Sequence, residues 1–135
     1  MPLTSLATLP ISSLEMMGMD WTAWQPASPI DAAFEAGQSD VWVESEGIVE
    51  RLLSDDTQGS RHQRIIVRIP SGRTVLIAHN IDLAPRVEPL RPGDRLRFRG
   101  EYEWNDKGGV VHWTHHDPSG RRAGGWIESG ARRVE

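Results

Sequence analysis

The 135-residue chain contains no cysteine. That absence excludes disulfides, thiolate metal sites and a cysteine nucleophile. No apolar run approaches the roughly 20 residues that a helix needs to cross a bilayer. Between Met1 and Met19 there is no Lys or Arg. A secretory signal begins with basic residues, so this mildly apolar stretch reads as a flexible leader. A cytoplasmic protein is the expectation, and an exported form stays open. There is no Gly-rich phosphate loop, Ser-centred nucleophile elbow or dinucleotide fingerprint. The net charge of −4 is not that of a strongly basic nucleic-acid binder.

The charge is unevenly spread. Residues 1–60 hold ten acids and one base, Arg51, for a balance of −9. Residues 61–122 hold twelve bases and seven acids, for +5, and residues 123–135 balance to zero. Two readings follow: a solvated acidic segment beside an ordinary surface, or an anion-attracting face masked by the global charge.

The length suits one domain with its own core. Residues 1–27 lack a sustained period and form the leader, with Trp21 or Trp24 as a possible anchor. A short helix is expected over 29–36, capped by Ser28, opened by Pro29 and stopped by Gly37. Strands are expected near 41–53, 61–69, 74–79, 95–104 and 110–115, separated by turn clusters. Gly47 inside the first strand suits a bulge or sharp bend. In the fourth strand Leu96, Phe98, Tyr102 and Trp104 share the inward face. Arg95, Arg97, Arg99, Glu101 and Glu103 share the outward one. The remainder is Gly-rich, with Trp126 as an anchor. The fold class is therefore all-β, a five-stranded OB-type barrel with a short N-terminal helix. Its domain spans 28–128, followed by a C-terminal tail over 129–135. Another small barrel or a sandwich is the competing architecture.

Several stretches carry a family resemblance. The first is Asp55-Asp56-Thr57, followed by Gly59-Ser60-Arg61-His62-Gln63-Arg64. Next is Ala78-His79-Asn80-Ile81-Asp82-Leu83-Ala84-Pro85-Arg86. Then come Gly100-Glu101-Tyr102-Glu103-Trp104-Asn105, Gly108-Gly109-Val110-Val111-His112-Trp113-Thr114-His115-His116-Asp117-Pro118 and Gly125-Trp126-Ile127. Over roughly residues 30–128 the chain resembles the bacterial domain-of-unknown-function family 3465. The resemblance implies no activity.

A candidate site follows from strand geometry. A two-residue turn at Ser71-Gly72 pairs Pro70 with Arg73, so Arg64 faces His79. With Ile65, Val67 and Ile69 inward, the residues His62, Arg64, Arg68 and His79 point outward. The outer face of strands two and three is the usual OB ligand platform. A parallel pairing of strands three and five gathers His62, His79, Asn80, His115, His116 and Asp117 at one pole, with Asp82 and Arg86 adjoining. His62, His79, His115, His116 and Asp117 are candidate ligands for a transition metal such as Zn. His62, Arg64, Arg68, His79, Asn80 and Arg86 are candidate binders of an anion. A purely structural pole is the third reading. The run His112-x-x-His115-His116 fits no established metal motif. Trp104 and Trp113 could stack bases, although inward parity places Trp104 in the core. Asp55 and Asp56 read as a loop cap, or as paired carboxylates beside Arg61.

The leading functional expectation is a ligand-binding module for an anionic partner, with single-stranded nucleic acid as first candidate. One alternative is a metal-dependent hydrolase of the phosphodiester type. Another is a structural or stress protein without a small ligand. Whether the chain is an enzyme stays open.

Overall fold

The computed structural model describes residues 28–135; the leader, with Trp21 and Trp24, lies outside them. The chain is mostly β, with one short helix among the described residues. The helix α1 spans Pro29–Ala36. Ser28 accepts a hydrogen bond from the Asp31 backbone N–H at 3.1 Å, and Gly37 ends the helix in the left-handed region. Asp31 also receives Ser71 at 2.8 Å and Arg73 at 3.0 Å, which ties the helix to a distant turn.

The strands are β1 (Val41–Asp56), β2 (His62–Arg68), β3 (Thr74–Asn80), β4 (Arg95–Glu103), β5 (Val110–His112), β6 (Trp126–Ser129) and β7 (Arg132–Val134). Hydrogen bonding runs β1-β2-β3-β5-β4, and β4 pairs back onto β1. Five strands thus close a ring. The long strand β1 makes closure possible by serving two neighbours. Val41–Ile48 pairs with β4, and Ile48–Asp56 pairs with β2. Gly47 sits where it changes partner. A Cβ there would lie 2.5 Å from the Arg68 carbonyl oxygen, so only glycine permits the approach. As the sequence suggested, β3 and β5 are parallel, through Leu76↔Val110 and Ile77↔Val111.

Alternating side chains fill the ring. Val43, Val49, Ile65, Val67, Val75, Ile77, Leu96, Phe98, Tyr102 and Val111 are all buried. The strand-four parity holds through Tyr102 and fails at Trp104, which is 42 % exposed. The strand ends at Glu103, so Trp104 no longer follows the pleat. Its backbone N–H donates to Ser39, its indole N–H donates to the Phe34 carbonyl at 3.0 Å, and its ring stacks on Phe34.

Three other expectations change. Strand β5 stops at His112 because Trp113 takes a left-handed φ of 57°, which no strand continues. Beyond residue 128 the chain continues as a paired strand. Arg132–Val134 pairs with β6, and β6 pairs with β4, so a hairpin extends the sheet beside the ring. The β2–β3 register differs by one residue: Gln63, not Arg64, faces His79. The loop is the cause. Ile69 donates to the Arg73 carbonyl at 2.9 Å, leaving Pro70, Ser71 and Gly72 as a three-residue connection. Gly72 takes a φ of 94°, as a three-residue hairpin requires. A one-residue slip sends side chains to the opposite face. His79 therefore points inward with Val75 and Ile77.

Two substitutions check this packing by urea unfolding. Phe98→Ala should cost about 3–5 kcal/mol, as expected for a filled ring. Trp104→Ala should cost about 1 kcal/mol, the loss of one exposed hydrogen bond and a surface stack. Equal losses would contradict the assignment of Phe98 alone to the core.

Candidate functional site

The expected pole exists as a place, but its groups are spent on holding the chain. His79 is fully buried. Its Nε2 lies 2.8 Å from the Pro85 carbonyl and its Nδ1 lies 2.8 Å from the Thr114 hydroxyl. A carbonyl only accepts, so Nε2 carries the hydrogen and Nδ1 accepts from Thr114. Both nitrogens are occupied, and the neutral ring has none left for a metal. Beside it, Gln63 is buried and bonds both polar groups of Val87 at 2.9 Å. The cross-strand pair Gln63/His79 thus fastens the link between β3 and β4 at Val87 and Pro85.

The remaining pole residues follow suit. His62 Nδ1 donates to the Ser60 carbonyl at 2.9 Å, and His115 Nδ1 donates to the His116 carbonyl at 2.6 Å. His115 is buried and packs on Trp113, while His116 is exposed. Asp117 organises the following loop, accepting from the Ser119 backbone and hydroxyl and from the Arg121 and Arg122 N–H groups. Those bonds, Ser119 first, hold its pKa below the usual carboxylate value. Among the described residues, no three of His62, His79, His115, His116 and Asp117 bring ligand atoms within 4.8 Å of one another. They do not form a coordination sphere.

The anion reading of the pole meets the same obstacle. Arg86 pairs with Asp55, and Arg68 pairs with Glu50. Arg64 donates to the Ser54 carbonyl at 2.8 Å. Asn80 accepts from the Asp82 N–H. Asp55 and Asp56 are not partners of Arg61, which instead pairs with Asp82 at 2.9 Å. His62 keeps a ring nitrogen outside any hydrogen bond among the described residues. The Asn80 Nδ2 likewise makes no hydrogen bond among the described residues.

An open site lies where the link meets the C-terminal hairpin. There a cavity of about 440 Å³ is bounded by Val87 and Pro89 of the link, Asp94 and Arg95 before and in β4, and Ile127 to Val134 of the hairpin. Ile127, Val87 and Val134 are buried and make its apolar floor. Arg95 and Arg132 line it as exposed residues. Both are without a carboxylate partner among the described residues, whereas neighbouring Arg97 and Arg133 share Glu128. Leu96 pairs with Ser129, and Ser129 pairs with Arg132, so Arg132 rises on the face of Leu96 that carries the apolar floor. Arg95, one residue before Leu96, starts from the other face of the pleat and lines the cavity at its rim. The Gln63–Val87 bonds place one wall of this cavity.

Sequence reasoning missed the cavity because Arg95 and Arg132 are far apart in the chain and their shared strand β6 was not recognised. The alternating Trp126-Ile127-Glu128 and Arg132-Arg133-Val134 around Gly130 carried the signal.

A family model described as a protein of unknown function (DUF3465) matches residues 14–135. No curated protein matches the chain.

The buried histidines make stability pH-dependent. Burial holds the His79 and His115 pKa values below the ordinary 6.5. Below pH 6.5 the unfolded chain then binds more protons than the folded one, so stability is complete above about pH 6.5 and falls on acidification. Carboxylate losses begin lower, below about pH 4.5. Urea midpoints between pH 7.5 and 5 should fall in the wild type and fall less in His79→Gln. That variant should also be less stable at pH 7.5 by about 1–3 kcal/mol, from the Pro85 and Thr114 groups it strands. A flat wild-type profile would contradict neutral burial of His79.

Proposed function

We propose that this chain, which belongs to the DUF3465 family of unknown function, is a ligand-binding module of OB type. Its ligand is a small molecule with an apolar body and an anionic head, taken into the cavity between the β3–β4 link and the β6–β7 hairpin. The OB assignment is supported by the ring order β1-β2-β3-β5-β4-β1 and by the parallel β3/β5 pair. One observation carries the functional reading: an apolar-floored cavity of about 440 Å³ lined by two arginines, Arg95 and Arg132, that make no ion pair among the described residues, against a single acid, Asp94. That volume is ordinary for small-molecule sites, which combine apolar walls with a few placed charges. Arg132 supplies charge-assisted donors for a carboxylate, sulfonate or phosphate, and Arg95 adds positive charge at the rim.

The anionic ligand expected from the sequence is retained, but its site moves from the pole to this cavity. Single-stranded nucleic acid is less well served. It needs open aromatic faces along a basic groove. Here Trp42, Trp113 and Trp126 are covered by Arg99, Arg122 and the pair Arg97/Arg133. The phosphodiesterase alternative required pole histidines as metal ligands, and His79 has no free nitrogen.

Anilinonaphthalene sulfonate, which joins an apolar body to an anion, is a suitable probe, with decanoate as competitor. The folded wild type should bind the dye and release it to decanoate. Replacing both Arg95 and Arg132 by Ala should weaken dye binding at least about tenfold, the effect of losing charged hydrogen bonds worth about 1.5–3 kcal/mol each. Unchanged binding in the double variant would overturn the site. Salt-sensitive binding of a single-stranded oligonucleotide, indifferent to both substitutions, would favour the nucleic-acid reading.

A further inference from the structure

On the outer face of the ring, three side chains meet with no Lys or Arg partner among the described residues. Glu101 and His112 are cross-strand partners on β4 and β5. Glu103 lies two residues along β4, so the pleat puts it on the same face, with buried Tyr102 between them pointing inward. Their ligand atoms all lie within 4.8 Å of one another. All three side chains are partly shielded, at 19 %, 35 % and 33 % exposure for Glu101, Glu103 and His112.

The cluster is incomplete in two independent respects. First, among the described residues, His112 Nε2 is shut off from solvent and has no hydrogen-bond partner. It lies 3.4 Å from a Glu101 oxygen and 3.6 Å from a Glu103 oxygen, longer than the 2.7–3.2 Å of a made N–H···O bond. A buried polar atom left in that condition costs about 1–3 kcal/mol. Second, the two carboxylates share one face without a Lys or Arg partner among the described residues. Arg99, the nearest cation along the strand, is engaged with Glu44. Side-by-side carboxylates repel and call for a cation between them.

We infer that Glu101, Glu103 and His112 form a binding site for a divalent transition metal, of the Zn²⁺ type. The spacing fits. Ligands held tetrahedrally at 2.0–2.1 Å from zinc stand about 3.4 Å from each other. The two His–Glu separations have that length, so a metal fits between atoms too far apart to hydrogen-bond. One imidazole nitrogen and two carboxylates favour zinc and its first-row neighbours over Mg²⁺, which prefers an all-oxygen shell. Three protein ligands leave one position for water or an incoming group. The ligands stand on paired strands, so the arrangement is set by the fold. The metal joins β4 to β5, a strand of three residues, and so stabilises the ring's shortest member.

The test uses the full chain, stripped with EDTA and dialysed against micromolar ZnCl₂. Elemental analysis should find one zinc per chain in the wild type, with Tm raised by at least about 4 °C. MgCl₂ should leave Tm unchanged. His112→Ala and Glu101→Gln should each lose the zinc and the Tm shift. His116→Ala, which alters an exposed histidine elsewhere, should keep both. Glu103→Gln, at a more exposed position, provides a second ligand variant should His112→Ala not fold, and should weaken zinc at least tenfold. In the wild type, ¹⁵N spectra of the His112 ring should show zinc on Nε2 and a hydrogen on Nδ1. Hydrogens on both nitrogens in the presence of zinc, marking an imidazolium bridge between the glutamates, would overturn the site. So would zinc absent from the wild type, or zinc retained by His112→Ala and lost by His116→Ala.

Discussion

The arrangement of this protein turns on one buried polar pair. Gln63 and His79 face each other across the β2–β3 hairpin, on the inward side of the ring. Buried amides and imidazoles are costly unless every polar atom finds a partner. Gln63 finds both of its partners on Val87, and His79 finds one on Pro85 and one on Thr114. Each partner lies outside the hairpin. The pair therefore draws in two segments that have no strand pairing there: the link that follows β3 and the loop that follows β5. The link, so fastened, presents Val87 and Pro89 to the cavity.

The same economy governs the rest of the pole. Asp82, Asp117, His62 and His115 satisfy backbone groups in loops that no sheet supports. Residues that resemble a binding constellation in the sequence are thereby consumed in closing one end of the ring. Among the described residues, the buried side-chain atom left without a partner is elsewhere, the His112 imidazole between two glutamates, and Arg95 and Arg132 line the cavity without an ion pair. Unpaired charge and orphaned polar atoms are the better guide to chemistry here than histidine count.

Much of this was legible in the sequence, and the failures have physical causes. Period-two alternation marked Ile65, Val67, Leu96 and Phe98, because each strand of the ring buries one face. Ser28, Pro29 and Gly37 marked the helix through local hydrogen bonding and backbone preference alone. Register was not legible, since Pro70-Ser71-Gly72 suits either a two- or a three-residue loop and the choice inverts the face of His79. The alternation ended a residue before Trp104, and a left-handed Trp113 cut β5 short. The β6–β7 hairpin escaped because a Gly-rich context masks two short strands. The site at Glu101, Glu103 and His112 depended on the β4–β5 register, which a turn of uncertain length concealed.

The central claim is that Gln63 and His79 hold the β3–β4 link as part of the folded core. Amide hydrogen exchange at Val87 reads this directly, because its N–H is bonded only to the Gln63 side chain. In the wild type the Val87 amide should exchange slowly, near the rate set by global unfolding. In Gln63→Leu it should exchange at least about a hundredfold faster, while the Ile65 and Ile77 amides in the strands remain protected. Rapid exchange at Val87 in the wild type, or no change in the variant, would contradict the account.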